Sequence, residues 1–253
     1  MPFPVDGINR DIVRCKPLCL ISKGDHVPAD RIELGMCGKG LAAQFTVKGM
    51  VVVQGLQGIG VHDYGRAVFL EREAVEQRLK QLSDKEKDAE SRSICRRLLE
   101  QIPEGSTVCA YAALKTEVNL ALLIETLTKR GDDVFLPIFD GGLNFRKFTG
   151  WENMQKGQLG ISEPSSDATI LDPQEADIIL IPGRAFDRSG KRLGRGNGGY
   201  DLWIAGQKKV NPATKYWGVA LDCQLVQEVP VEKHDQTMDA VVTTREFLKK
   251  SRQ

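Results

Sequence analysis

The residues best suited to chemistry in this chain are crowded between Pro182 and Asp201, which read P-G-R-A-F-D-R-S-G-K-R-L-G-R-G-N-G-G-Y-D. The glycines from Gly194 to Gly199 let the backbone come close to a ligand, and successive N–H groups leading into a helix N-terminus make a concave anion site. Phosphate is the ligand such a surface takes. Arg192 and Arg195 add planar donor forks that grip phosphate oxygens at two points and offset charge as it builds during phosphoryl transfer. Asp201, just beyond, is placed to coordinate Mg²⁺, which takes one or two carboxylates together with the nucleotide's own oxygens. The competing reading makes this a solvated turn whose arginines pair with surface carboxylates. The segment's position at the carboxyl end of a strand, where α/β sheets bind ligands, favours the functional one.

Positioning such a loop takes a strand before it and a helix after it, and the flanking sequence supplies both. Ala176–Ile181 reads as a buried strand, and a helix carrying Trp203 and Ile204 begins near Gly198 or Gly199. Upstream, Val75, Leu79 and Leu82 predict a helix from Glu71. Ser83-Asp84-Lys85-Glu86 has the form of a capping box and opens a second helix, Asp84 to Gln101, with Ile94, Leu98 and Leu99 facing inward. Thr107–Ala113 then reads as a strand, Glu117–Lys129 as a helix and Asp133–Phe139 as a strand. After the loop come short strands at Tyr216–Leu221, Gln224–Val229 and Asp239–Thr243. Alternation of this kind specifies an α/β fold, a mostly parallel sheet covered by helices on both faces in a Rossmann-like three-layer sandwich.

The opening residues read differently. Short β-rich patches such as Met50–Val53 are separated by Gly55, Gly58, Gly60 and Gly65, without a chemical motif. Residues 1–66 are therefore expected to form a β-rich N-terminal extension of open role, and 67–253 the α/β domain.

Composition bounds the partners. Lys and Arg number 35 against 34 Asp and Glu, so no global field attracts nucleic acid or an anionic membrane. No apolar run approaches the roughly 20 residues that span a bilayer, and the N-terminus lacks the basic and apolar regions of a secretory signal. A cytoplasmic protein with no nucleic-acid or membrane partner, acting as a monomer, is the expectation. Cys15, Cys19, Cys37, Cys95, Cys109 and Cys223 are scattered without zinc spacing, although Cys15 and Cys19 form C-x-x-x-C, and free thiols are expected.

Pro182 to Asp201 resembles the hallmark of the 5-formyltetrahydrofolate cyclo-ligase family, P-G-x-x-F-D-x-x-G-x-R-L-G-x-G-x-G-Y-Y-D. Tyr111 to Val118 is similar to the family's Y-x-x-x-x-x-E-V, Gly160 to Pro164 to its G-I-x-E-P, and Val229 to Asp235 to its V-P-x-E-x-H-D. The resemblance runs from about Leu70 to about Thr244. It implies a folate enzyme of one-carbon metabolism. MgATP phosphorylates the formyl oxygen of 5-formyltetrahydrofolate, and attack by the other bridging nitrogen expels phosphate, leaving 5,10-methenyltetrahydrofolate and ADP. By position, Glu117 and Tyr200 bind the reduced folate. Arg72 and the run Arg192, Leu193, Gly194, Arg195, Gly196, Asn197, Gly198, Gly199 and Tyr200 hold ATP. Asp201 and Asp235 hold Mg²⁺, while Arg192, Arg195 and Tyr200 carry the chemistry, most of it alignment and charge stabilisation.

Two positions depart from the family pattern. Gly199 stands where the first tyrosine of a pair is usual, and Val68 stands where a lysine precedes the N-terminal arginine, with Arg66 nearby. These favour a second reading, a nucleotide- or folate-binding paralogue without turnover. Retention of Arg192, Arg195, Asp201, Glu117 and Asp235 favours the enzyme. His234 reads as structural, because the reaction has no use for an imidazole.

Overall fold

The computed structural model describes residues 32–33, 44–45, 61–157, 160–196 and 198–250. The chain divides into two units, Met1–Gly58 and Ile59–Gln253. In the first, the described residues form one antiparallel pairing, β1 (Ile32–Glu33) with β2 (Gln44–Phe45). The expected strand at Met50–Val53 lies outside the described residues, as do Cys15, Cys19 and Cys37.

The second unit opens with α1 (Val61–Gln81), which starts well before the expected Glu71 and contains Gly65, read from sequence as a separator between strands. The expected first residue of the α/β domain, 67, falls inside this helix. A glycine costs an exposed helix about 1 kcal/mol relative to alanine. Val68, Val75 and Leu79, all buried on one face, offset that cost. α2 (Asp84–Gln101) begins at the capping box anticipated from sequence: Glu86 N donates to Ser83 Oγ (3.3 Å) and Ser83 N to Glu86 Oε2 (2.8 Å). Ile94 and Leu98 are buried as expected, and Leu99 is half-buried against the same core.

β3 (Thr107–Cys109) is shorter than the sequence suggests. α3 (Ala121–Arg130) starts four residues later than expected, with Asn119 Oδ1 accepting from Ala121 N at 3.0 Å just ahead of it. Glu117 therefore sits in a turn, its N–H donating to Leu114 O, and has no helix to charge. β4 (Asp133–Phe139) has the expected bounds. β5 (Leu143–Lys147) and the hairpin β6 (Met154–Lys156) with β7 (Ser162–Pro164) had no clear sequence signal. β8 (Ile178–Pro182) leads into a small hairpin, β9 (Ala185–Asp187) and β10 (Arg192–Leu193). α4 (Gly199–Val210), β11 (Lys215–Val219), β12 (Leu225–Val226), β13 (Ala240–Val242) and β14 (Phe247–Lys249) complete the unit.

Seven strands form the main sheet in the order β14-β13-β11-β8-β3-β4-β5. The five central strands are parallel and the two edges antiparallel. Side chains alternate between two cores. Val108, Val134, Leu136, Ile178, Leu180 and Val219 face α1, α2 and α3 through Leu79, Leu98 and Leu127. Cys109, Phe135, Ile179, Ile181 and Tyr216 face the α4 side with Ile204. Both faces are covered, which is why the central strands read as continuous apolar runs. The chain leaves β3 toward β4 and returns on the other side of β3 as β8, so the order reverses between β3 and β8. Ligands of open α/β sheets bind at the carboxyl ends of strands at such a reversal. Among the described residues, no helix is long and apolar enough to cross a membrane.

Candidate active site

The arginine-rich loop is held by a frame of buried contacts. β9 and β10 pair with Arg192 opposite Phe186 and Leu193 opposite Ala185. The turn between them is fixed by Asp187, whose Oδ1 accepts from Ser189 N, Ser189 Oγ and Lys191 N, and whose Oδ2 accepts from Val229 N. Gly190 closes that turn at φ 86°, and a Cβ there would lie 2.5 Å from Met238 O. The Phe186 ring fills the space between two strand ends: a Cβ on Gly183 would meet it at 2.7 Å and one on Gly218 at 2.4 Å. Both positions must therefore lack a side chain.

From this frame Arg192 and Arg195 reach a cavity of about 150 Å³ at the β3–β8 reversal. Its walls come from the segment after β3 (Tyr111, Leu114, Glu117), the end of β4 (Ile138, Phe139), the end of β8 (Pro182, Gly183) and the start of α4 (Gly199, Tyr200). Arg192 is 8% exposed and its Nη2 donates to Asp201 Oδ2 at 2.6 Å. Its guanidinium also lies 5.6 Å from the centre of the Tyr200 ring, within cation–π range. Arg195 donates to Glu117 Oε1 from Nε (3.3 Å) and Nη2 (3.0 Å), and from Nη2 to Thr116 Oγ1. The other Glu117 oxygen accepts from Leu114 N at 2.9 Å.

Arg72 reaches the same loop from α1 and donates from Nη2 to Gly194 O at 3.0 Å. The Nε atoms of Arg72 and Arg192 are buried without a hydrogen-bond partner among the described residues. Cationic donors with spare N–H groups converging on one loop are what an anion requires. Burial, then the nearby Arg195, holds the Arg184 guanidinium below its usual range, a sign of how tightly positive charge is gathered here. The Tyr111 and Tyr200 hydroxyls are pushed up by burial, then by the Glu117 carboxylate, so both stay protonated at neutral pH.

Of the residues anticipated from sequence, Arg192, Arg195, Gly199, Tyr200 and Glu117 line one cavity, and Arg72, Gly194 and Asp201 contact those lining residues or their loop. Gly196 packs against Arg72, where a Cβ would lie 3.3 Å from Nη2. Gly198, at φ 65°, precedes the first residue of α4. Leu193 differs in kind: its side chain is buried in the core and its carbonyl accepts from Arg184 N, so it offers a ligand no side-chain contact. Asn197 lies outside the described residues. Asp235 sits on a turn where its Oδ2 accepts from Glu232 N, and the next residue, Gln236, donates its N–H to Asp201 Oδ1 at 3.1 Å. The His234 side chain is 72% exposed. Val68 lies on the buried face of α1, one turn before Arg72.

Gln224 was not anticipated. It is 1% exposed and its amide ties three segments together, donating to Gly183 O (3.0 Å), Arg184 O (3.3 Å) and Thr116 O (3.3 Å) while accepting from Leu221 N. A glutamine inside a presumed strand carries no sequence signal of such a role. Glu163 also lines the cavity, and its G-I-x-E-P setting was the only hint.

The match to known proteins covers this whole arrangement. The model of the 5-formyltetrahydrofolate cyclo-ligase family matches residues 68–244. A probable 5-formyltetrahydrofolate cyclo-ligase of Schizosaccharomyces pombe is 32% identical over 188 residues, covering 68% of this chain and 92% of that one. The 5-formyltetrahydrofolate cyclo-ligase of Escherichia coli K12 is 35% identical over 142 residues, 54% of this chain and 77% of its own. Among solved structures, the 5,10-methenyltetrahydrofolate synthetase of Aquifex aeolicus superposes with a TM-score of 0.63 at 26% identity, covering 74% of this chain and 94% of that one. The matched span holds Arg72, Glu117, the arginine loop and both candidate metal carboxylates, and on that basis the chain belongs to the 5-formyltetrahydrofolate cyclo-ligase family, a family of ligases.

Proposed function

We propose that this protein converts 5-formyltetrahydrofolate to 5,10-methenyltetrahydrofolate at the expense of ATP, releasing ADP and phosphate. The observation that carries the reading is the convergence of Arg192, Arg195, Tyr200 and Glu117 on one cavity at the point where the strand order reverses. In the reaction, the formyl oxygen attacks the γ-phosphorus and the bond to the β-bridging oxygen breaks. The second bridging nitrogen then bonds to the formyl carbon, gives up its proton to water or to the leaving phosphate, and the carbon–oxygen bond breaks to expel that phosphate. No strong base is called for. Arg192, Arg195 and Arg72 hold the phosphates and offset the charge that builds on the transferred group. Backbone N–H groups of Gly198 and Gly199 at the start of α4 add further donors. Glu117 and Tyr200 orient the folate, and the neutral Tyr200 hydroxyl acts as a donor without giving up its proton.

Asp201 and Asp235 fit a nucleotide-borne Mg²⁺. The Gln236 N–H bound to Asp201 brings the two carboxylate-bearing segments together, and a hard cation prefers such oxygen donors. When bound, it neutralises the phosphates and polarises the transferred group. Arg192 takes one Asp201 oxygen and the Gln236 N–H the other, so in this reading Asp201 would anchor both segments and offer the metal a remaining lone pair.

The test is purified protein with 5-formyltetrahydrofolate and MgATP, followed by the ultraviolet absorbance of the methenyl product. The reading expects product only when both substrates are present. Nucleotide binding without product would instead select a non-catalytic binding protein, the role that Gly199, which leaves one wall of the cavity without a side chain, would favour.

A further inference from the structure

We propose that Glu163 recognises the N–H donor edge of the folate's pteridine ring and so sets which way round the substrate lies. The inference rests on the functional reading above and adds a specificity residue to it.

Glu163 lies on β7 and lines the same cavity as the arginine loop. Its carboxylate is held in place. Phe139 N, at the end of β4, donates to Oε1 at 3.2 Å. On its other side lies Gly157, where a Cβ would stand 2.1 Å from the carboxylate carbon and 2.4 and 2.5 Å from its oxygens. Only a residue without a side chain leaves the group that position. Oε2 has no hydrogen-bond partner among the described residues, and no cation is paired with this carboxylate there. Glu117, the other carboxylate of the cavity, differs on each count: Arg195 occupies one oxygen and Leu114 N the other. An uncommitted acceptor is therefore offered by Glu163.

Its place in the sheet gives the role direction. The arginine loop follows β8, Glu117 follows β3, and Glu163 is anchored to β4, in the order β8-β3-β4. The arginine loop and Glu163 thus line the cavity from either side of the β3 position. Between them the walls are apolar or aromatic, with Leu114, Ile138, Leu143 and Ile161 among them. A flat bicyclic ring with adjacent N–H donors at one end and its reactive group at the other spans such a slot. The ring N–H and exocyclic amine of a reduced pteridine match a carboxylate at two points. With that edge on Glu163, the formyl-bearing side faces the arginines, where the phosphoryl group arrives. An unpaired carboxylate also repels phosphate, which keeps the nucleotide at the β8 side.

The experiment is isothermal titration of 5-formyltetrahydrofolate, of its 2-desamino analogue and of MgATP into wild-type protein, Glu163→Ala and Gly157→Ala. Losing a charge-assisted pair of hydrogen bonds should weaken folate binding about tenfold to a hundredfold in Glu163→Ala, with MgATP affinity unchanged. Wild-type protein should prefer the natural substrate over the desamino analogue, and Glu163→Ala should bind the two alike. Gly157→Ala keeps the carboxylate but displaces it, and should weaken folate in the same direction. Unchanged folate affinity in both variants, or equal losses for folate and MgATP, would overturn the role of Glu163 while leaving the functional reading intact. Wild-type protein with no affinity for the folate would overturn the functional reading and this role with it.

Discussion

Gln224 shows how far single residues here act through their neighbours. Its buried amide fixes the carbonyls of Thr116, Gly183 and Arg184, so it joins the turn that carries Glu117 to the strand end beneath the arginines. Alanine at 224 would leave those carbonyls and Leu221 N without this partner in a largely buried setting. An unsatisfied buried group costs about 1–3 kcal/mol, so Gln224→Ala should lose about 2–4 kcal/mol of stability and weaken both substrates together. Denaturant midpoints and both KM values would check this; an unchanged midpoint would mean that the three segments are held by other means. Arg192 is a comparable case. As a buried cation paired with Asp201, it ties any change at the candidate metal carboxylate to the placement of a phosphate-binding arginine. These roles were not legible in the sequence, which shows that Arg192 and Asp201 are near in chain but not that they pair, and gives no sign that Gln224 turns inward.

At the scale of elements, legibility followed burial. β4 and β8, apolar along their length, lie at or close to the bounds that their composition suggests, and the capping box opened α2 at Asp84. The edge strands β5 and β14 carry no clear sequence signal because each mixes polar or charged residues with apolar ones: Asn144, Arg146 and Lys147 in one, Lys249 in the other. α1 starts ahead of its expected bound because the apolar pattern of Val75 and Leu79 extends back through Val68, past the Gly65 that reads as a separator. The hairpin of β9 and β10 has only a functional signal in sequence, whereas in the structure Phe186, Asp187 and Gly190 hold it in place. That rigidity yields a prediction. Gly218→Ala drives a methyl group into the Phe186 ring and should cost about 1–3 kcal/mol, with weaker nucleotide binding because Arg192 pairs opposite Phe186. In a double-mutant cycle, Phe186→Leu should recover part of that loss. Simple additivity of the two losses in thermal unfolding would show that the ring does not set the hairpin's position.

The whole molecule joins a fold that composition and alternation made legible to a site that they did not fully reveal. The family resemblance centres on the arginine loop, and the reversal of strand order between β3 and β8 explains why a cavity opens beside it. The spatial meeting of Arg72 with Gly194, and of Arg195 with Glu117, spans more than 70 positions of sequence, beyond the reach of local pattern. The unit Ile59–Gln253 holds the seven-stranded sheet, both cores and every described site residue. Residues 59–253 should therefore fold alone and form methenyl product at close to the full-length rate; loss of activity with the fold intact would give residues 1–58 a part in catalysis.

The most direct test of the account is the product-formation rate of Arg195→Ala beside its melting temperature. A half-exposed ion pair contributes about 1 kcal/mol or less, so the fold should survive the loss of the Glu117 contact. An arginine that bears the charge of the transferred phosphoryl group is worth far more to the reaction, and turnover should fall about a hundredfold or more with weaker ATP binding. A wild-type rate from folded Arg195→Ala would contradict the claim that this loop holds the nucleotide during transfer.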